Sequence, residues 1–187
     1  MYKRQAGDER VSELYEEIRG LFGENIWGED RDTLEERIGE LLRMKKLTLG
    51  VMESLTGGLI SNLITNVAGS SDYFRGGIVS YSTDVKILYG VKESAVEKFG
   101  VVSEEVALEM ARSVRLAVGA DIGLGITGVA GPSRLEGKKP GTVFMALSSP
   151  DREKAVKMLL PGDRLGVKMR ASYGALFELK RFLEILR

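Results

Sequence analysis

The chain has 187 residues, 43% hydrophobic and 29% charged, enough for one full domain with a two-sided core plus an appendage. Its 27 basic and 27 acidic side chains cancel, so no net field steers it onto a nucleic-acid backbone, and no basic stripe with interleaved aromatics is present. Cysteine and histidine are both absent, which excludes thiol nucleophiles, disulfides, Cys/His zinc sites and Ser-His-Asp triads. A hydrolase made from this chain needs lysine, a carboxylate, tyrosine or water as its base. The opening "MYKRQAGDERVSELYEE" is charged, and no apolar run approaches the ~20 residues of a membrane span, so a cytoplasmic protein without a membrane partner is expected.

Residues 1–44 read as a helical arm. Val11, Leu14, Ile18, Leu21 and Phe22 fall at helical spacing, as do Leu34, Ile38, Leu41 and Leu42 in a second stretch. Between them "GENIWGEDRD" carries glycine breaks, with Asp32 or Thr33 as a cap and Glu35 and Glu36 in the following first turn, where the helix dipole favours them. The exposed apolar stripe over 11–42 leads to the expectation of a homo-oligomer, a dimer being favoured.

From residue 45 to 187 helices and strands alternate. "LTLGVM" is a strand, 57–67 a helix and "YFRGGIVSYS" a second strand. "SEEVALEMARSVRLAVG" is a helix capped by Ser103 with Gly119 just past its end, and "ADIGLGITG" is a buried strand followed by the polar loop "PSRLEGKKPG". "TVFMALSS" and "KAVKMLLP" form a strand pair around "PDRE", and "GDRLGVKMRASYGALFELKRFLEILR" closes the chain as a long amphipathic helix. The expected architecture is a three-layer α/β/α sandwich with a mixed sheet, preceded by the arm.

Ligands of open α/β sheets bind at the carboxyl ends of strands, and three such ends carry unusual residues. In "ESLTGG" (53–58), Ser54 and Thr56 precede a helix start, and Gly57 and Gly58 let a ligand approach the backbone. The stretch suits an anion cradle or an oxyanion hole; equally, Thr56 is a plain N-cap and the glycines serve packing. In "YSTDVK" (81–86), a helix starting at Thr83 or Asp84 puts Lys86 one turn past Ser82, either as a base whose pKa is lowered by desolvation or as an ordinary surface lysine. "TGVAGP" (127–132) offers backbone to a flat ring or a phosphate, or is simply a turn.

In order and spacing, these motifs together with "GVVSEEVALEMA", "KKPGTVFMAL" and "GDRLGVKMRA" resemble the carboxyl-terminal domain of the CinA family, known as nicotinamide-nucleotide amidases. The resemblance covers residues 45–187, with "GENIWGEDRDTLEERIGELL" similar to the linker that precedes the domain in longer members. It implies hydrolysis of the carboxamide of nicotinamide mononucleotide to nicotinate mononucleotide and ammonia, without a metal or cofactor. By position it implies Ser54 as nucleophile, Lys86 as base and Tyr81 as a further catalytic residue. Glu53, Thr56, Gly57 and Gly58 would bind substrate, N–H groups near Thr56 to Gly58 would hold the oxyanion, and Thr127, Gly128, Ala130 and Gly131 would line the nucleotide side. The chain departs from the family at "PSRLEGKKPG", where a run of glycines is common, and in having Met52 and Leu55 where alanine and cysteine are common. Two alternatives stand beside this reading: a non-catalytic nucleotide-binding or regulatory module, and an amidase for a related phosphorylated substrate.

Overall fold

The two amphipathic stretches at the start form helices α1 (Tyr2–Phe22) and α2 (Leu34–Lys45) in the computed structural model, which describes residues 2–26, 28 and 32–186. The rest of the glycine-broken connector, 27 and 29–31, lies outside the described residues. The chain divides into two units, Met1–Thr33 and Leu34–Arg187. The boundary is therefore at Thr33 rather than at residue 44. The physical reason is the fate of the second stripe: Leu34, Ile38, Leu41 and Leu42 are buried in the core of the second unit, which takes α2 out of the arm. On α1, Val11, Leu14, Ile18, Leu21 and Phe22 are exposed.

The second unit is built on a five-stranded sheet of β1 (Leu49–Glu53), β2 (Phe74–Val79), β3 (Ile122–Gly128), β4 (Thr142–Ser148) and β5 (Glu153–Leu159), in the order β2-β1-β3-β4-β5. β1 pairs in parallel with β2 and β3, whereas β3–β4 and β4–β5 are antiparallel, giving the expected mixed sheet. β1 is buried along its whole length, as the run Leu49–Met52 requires of a strand covered on both faces, with the buried Glu53 at its end.

Helices α3 (Leu59–Thr65) and α7 (Arg164–Ile185) join α2 on one face, where Ile38, Ile60, Ile64, Leu176 and Phe182 pack over Leu49, Val51, Leu124 and Ile126. On the other face α6 (Glu104–Ala117) sets Val106, Met110 and Val114 against Met52. Each such side chain stabilises the fold by about 1.5–3 kcal/mol relative to exposure. The side-chain oxygen of Ser103 accepts from the Val106 N–H at 3.2 Å, the cap that starts α6. Gly123 and Gly125 let this helix lie directly on β3, because a Cβ at either would strike the backbone carbonyls of Ala111 and Ala107. The product is a three-layer α/β/α sandwich.

Two short helices complete the unit, α4 (Thr83–Leu88) and α5 (Glu93–Phe99). The second has no fully buried residue, hence no apolar stripe to announce it in the sequence. No helix among the described residues is long and apolar enough to cross a membrane.

Parallel pairing brings the carboxyl ends of β1, β2 and β3 to one edge of the sheet. The antiparallel β4–β5 pair then returns the chain to that same edge, with Thr142 opposite Leu159, so α7 begins there.

Candidate active site

The turn after β1 is shaped by Glu53, whose side chain is fully buried. One carboxylate oxygen accepts from the N–H groups of Gly58 (2.9 Å) and Ile60 (3.1 Å), and the other from the N–H (2.8 Å) and hydroxyl (2.7 Å) of Ser61. Glu53 thus does what the sequence alternative gave to Thr56: it caps α3, which starts at Leu59 rather than 57. With both oxygens engaged inside the protein, Glu53 shapes the turn rather than facing a ligand. Thr56 Oγ1 is buried without a hydrogen-bond partner among the described residues.

Ser54 follows β1 directly and is tied to β3, its N–H donating to the Ile126 carbonyl at 3.0 Å. Of the three N–H groups expected to hold an oxyanion, that of Gly57 donates to the Ser54 carbonyl (3.2 Å) and that of Gly58 to Glu53 (2.9 Å). The backbone hydrogen bonds of this turn among the described residues include none from the Thr56 N–H, which leaves it as the available member. Gly57 and Gly58 have φ of +65° and +96°, a left-handed turn that side chains with a Cβ rarely adopt.

Lys86 enters from the neighbouring strand end. Ser82 caps α4 by accepting from the Val85 N–H at 3.4 Å, and the helix carries Lys86 back over β1. The surface-lysine alternative does not hold, because Lys86 is only 2% exposed. Its Nζ donates to Ser54 Oγ (3.0 Å), to the Ser80 carbonyl (2.7 Å) and to the Tyr81 carbonyl (3.3 Å). Burial lowers its pKa from an ordinary 10.5 to about 8, with the negative charge of Glu136 acting in the opposite sense. A neutral amine has two hydrogens and one lone pair; if the two carbonyls take the hydrogens, the lone pair faces Ser54 Oγ.

Tyr81 offers its backbone carbonyl to Lys86 and its hydroxyl to another partner. The ring is exposed, and the hydroxyl accepts from Arg164 Nη2 at 2.6 Å. Nη1 of the same arginine donates to the Gly131 carbonyl at 2.7 Å, so Arg164 bridges the ends of β2 and β3. One turn further along α7, Lys168 Nζ lies 3.6 Å from where a Cβ of Gly57 would be. Neither cation is ion-paired among the described residues.

The third motif turns its side chains inward. Thr127 Oγ1 donates to the Val101 carbonyl at 2.8 Å, Ala130 is buried, and a Cβ at Gly128 would come within 2.7 Å of the Thr142 carbonyl. These residues present backbone rather than side chains. Among the described residues no acidic cluster is placed to hold a metal ion.

This constellation can be set beside known proteins. The family model of the CinA C-terminal domain matches residues 31–183. The chain belongs to that family. The CinA-like protein of Microcystis aeruginosa is 43% identical over 175 residues, covering 91% of this chain and 42% of that protein. The CinA-like protein of Kosmotoga olearia is 40% identical over 182 residues, covering 96% and 44%. The chain thus spans less than half the length of these relatives. Among solved structures, that of a competence or damage-inducible protein from Enterobacter asburiae superposes with a TM-score of 0.78 at 32% identity, covering 80% of this chain and 96% of that one.

Within this CinA domain, Ser54 and Lys86 come together from two strand ends, and Gly131 and Tyr81 are joined through Arg164. Sequence reasoning gave no role to Arg164 or Lys168. The available signal was two cations one turn apart at the start of a helix, where the macrodipole disfavours positive charge.

Proposed function

We propose that the chain hydrolyses the carboxamide of nicotinamide mononucleotide, giving nicotinate mononucleotide and ammonia, with Ser54 as nucleophile and Lys86 as base. The observation that carries this reading is the buried Lys86 amine, 3.0 Å from Ser54 Oγ with its pKa brought down to about 8. At pH 7 such an amine is neutral in about one molecule in ten, against about one in 3,000 for an unperturbed lysine. The substrate class is the one that the resemblance to nicotinamide-nucleotide amidases implies, and Arg164 and Lys168, without ion-pair partners among the described residues, suit its phosphate.

In the proposed reaction the Lys86 lone pair takes the Ser54 hydroxyl proton as Oγ bonds to the amide carbon. The carbonyl oxygen becomes an oxyanion, for which the free Thr56 N–H is a donor. Collapse breaks the C–N bond, and the Lys86 ammonium returns its proton to the departing nitrogen, which leaves as ammonia. Water, deprotonated by the same amine, then attacks the acyl-serine, and the C–Oγ bond breaks as Ser54 regains a proton.

The test is ammonia release from nicotinamide mononucleotide by the parent protein, Ser54→Ala and Lys86→Ala. Release by the parent and its loss in both variants is expected. Undiminished release in both variants would sink the assignment.

A further inference from the structure

The 132–140 loop is a folded element. Leu135 and Lys138 exchange backbone hydrogen bonds (3.2 and 2.9 Å) around Glu136 and Gly137, whose φ of +50° and +73° make a tight hairpin turn. A glutamate is an unfavourable residue for that backbone conformation, so its side chain has to justify the position. One Glu136 oxygen accepts from the Val101 N–H at 2.8 Å, and the other from the Val102 N–H at 3.2 Å. Gly100 makes room for it, since a Cβ there would collide with the carboxylate. The Val101 carbonyl, on the same short corner, is the acceptor of Thr127 Oγ1. One corner of backbone therefore ties both the end of β3 and the loop that follows it.

We propose that Glu136 is a positioning residue of the Ser54–Lys86 centre, a clasp that fixes the loop after β3 to the corner that also holds Thr127 and so sets the Gly128–Gly131 side of the site. Its charge gives the clasp a second action. Among the charged groups on the elements around Lys86, Glu53 is committed to the start of α3, Glu109 to Lys92 and Arg112, and Arg164 to Tyr81 and Gly131, while Lys168 lies beside Gly57 and Asp84 is exposed on the lysine's own helix. Glu136, which also pairs with Lys138 of its own hairpin at 3.5 Å, is the group whose charge opposes the effect of burial on the amine, favouring its protonated form.

The inference rests on the amidase reading only for its kinetic arm. Glu136→Gln removes the charge and one acceptor; Glu136→Asp keeps the charge but is one methylene too short to span both N–H groups. In the unliganded proteins, the pH dependence of amine modification at Lys86, read by peptide mass spectrometry, is expected to shift down in Glu136→Gln and to stay near the parent in Glu136→Asp. Hydrogen exchange at the Val101 and Val102 amides is expected to accelerate in both, and KM for nicotinamide mononucleotide to rise severalfold. Lys86 titration and KM both equal to the parent in Glu136→Gln would overturn the proposal, even with a lowered melting temperature, because the clasp would then serve folding alone. Absence of ammonia release by the parent would count against the amidase reading, while the Lys86 titration still decides the role of Glu136.

Discussion

Lys86 Nζ stands 3.0 Å from Ser54 Oγ while the carbonyls of Ser80 and Tyr81 accept from it at 2.7 and 3.3 Å. Two backbone oxygens orient the amine, and the third direction belongs to the serine. On the proposed function, these carbonyls would orient the amine as a carboxylate orients the imidazole of a Ser-His-Asp triad.

The first expectation concerns charge. Arginine at this position keeps a positive donor but cannot become a neutral base, so Lys86→Arg should lower kcat by about 10²–10⁴-fold. Steady-state ammonia release measures it, and near-parent activity would show that the amine serves only as a fixed cation.

A pH profile follows from the same group. The folded-state pKa is depressed to about 8, so the base is protonated below that value and neutral above it. In kcat/KM this predicts a limb that rises with pH, about tenfold per unit below pH 8, to a plateau above it. A flat profile from about pH 6 to about pH 9 would contradict the assigned base.

Glu53 should act through the turn. Glu53→Gln puts an amide NH₂ against N–H donors that now meet carboxylate oxygens, leaving buried groups unpaired at a cost of about 1–3 kcal/mol. Urea denaturation should show a lower midpoint with an unchanged slope, and activity should fall because Ser54 sits on the same turn.

At the mouth of the site, Arg164→Ala should raise KM for the mononucleotide by about ten- to a hundredfold, as expected for the loss of one or two charge-assisted hydrogen bonds. The dephosphorylated nucleoside is the control: an equal loss toward it would mean that Arg164 acts only by bridging Tyr81 and Gly131.

The unit boundary has its own test. Ile38→Ala on α2 removes a fully buried side chain and should cost about 2–5 kcal/mol, whereas Leu14→Ala on the exposed stripe of α1 should change stability by no more than about 0.5 kcal/mol. Chemical denaturation of the two variants compares them directly.

Much of the sheet was legible because its strands are short apolar runs bounded by turn residues, and α6 announced itself through Ser103, its acidic first turn and Gly119. Ser54 and Lys86 were picked out by the resemblance to the CinA family; the missing histidine required only that some other group serve as base. Their meeting was not legible from spacing, since it depends on β2 lying beside β1. Glu53 read as a ligand because its role as a cap depends on a helix that begins six residues later. For α2, amphipathicity alone could not say whether its stripe meets the core or solvent; α7 as a neighbour decided it. The hairpin turn at Glu136 was hidden because a glutamate gives no hint of positive φ.

The return of the chain through β4 and β5 has a consequence for the order in which a newly made polypeptide becomes competent. Ser54 and Lys86 lie in the first half of the chain, but both cations that face the site arrive with α7, after residue 163. During synthesis Ser54 and Lys86 therefore exist long before the groups suited to gripping a phosphate. On the proposed function, a shortened translation product would carry the reactive pair without the means to hold its substrate.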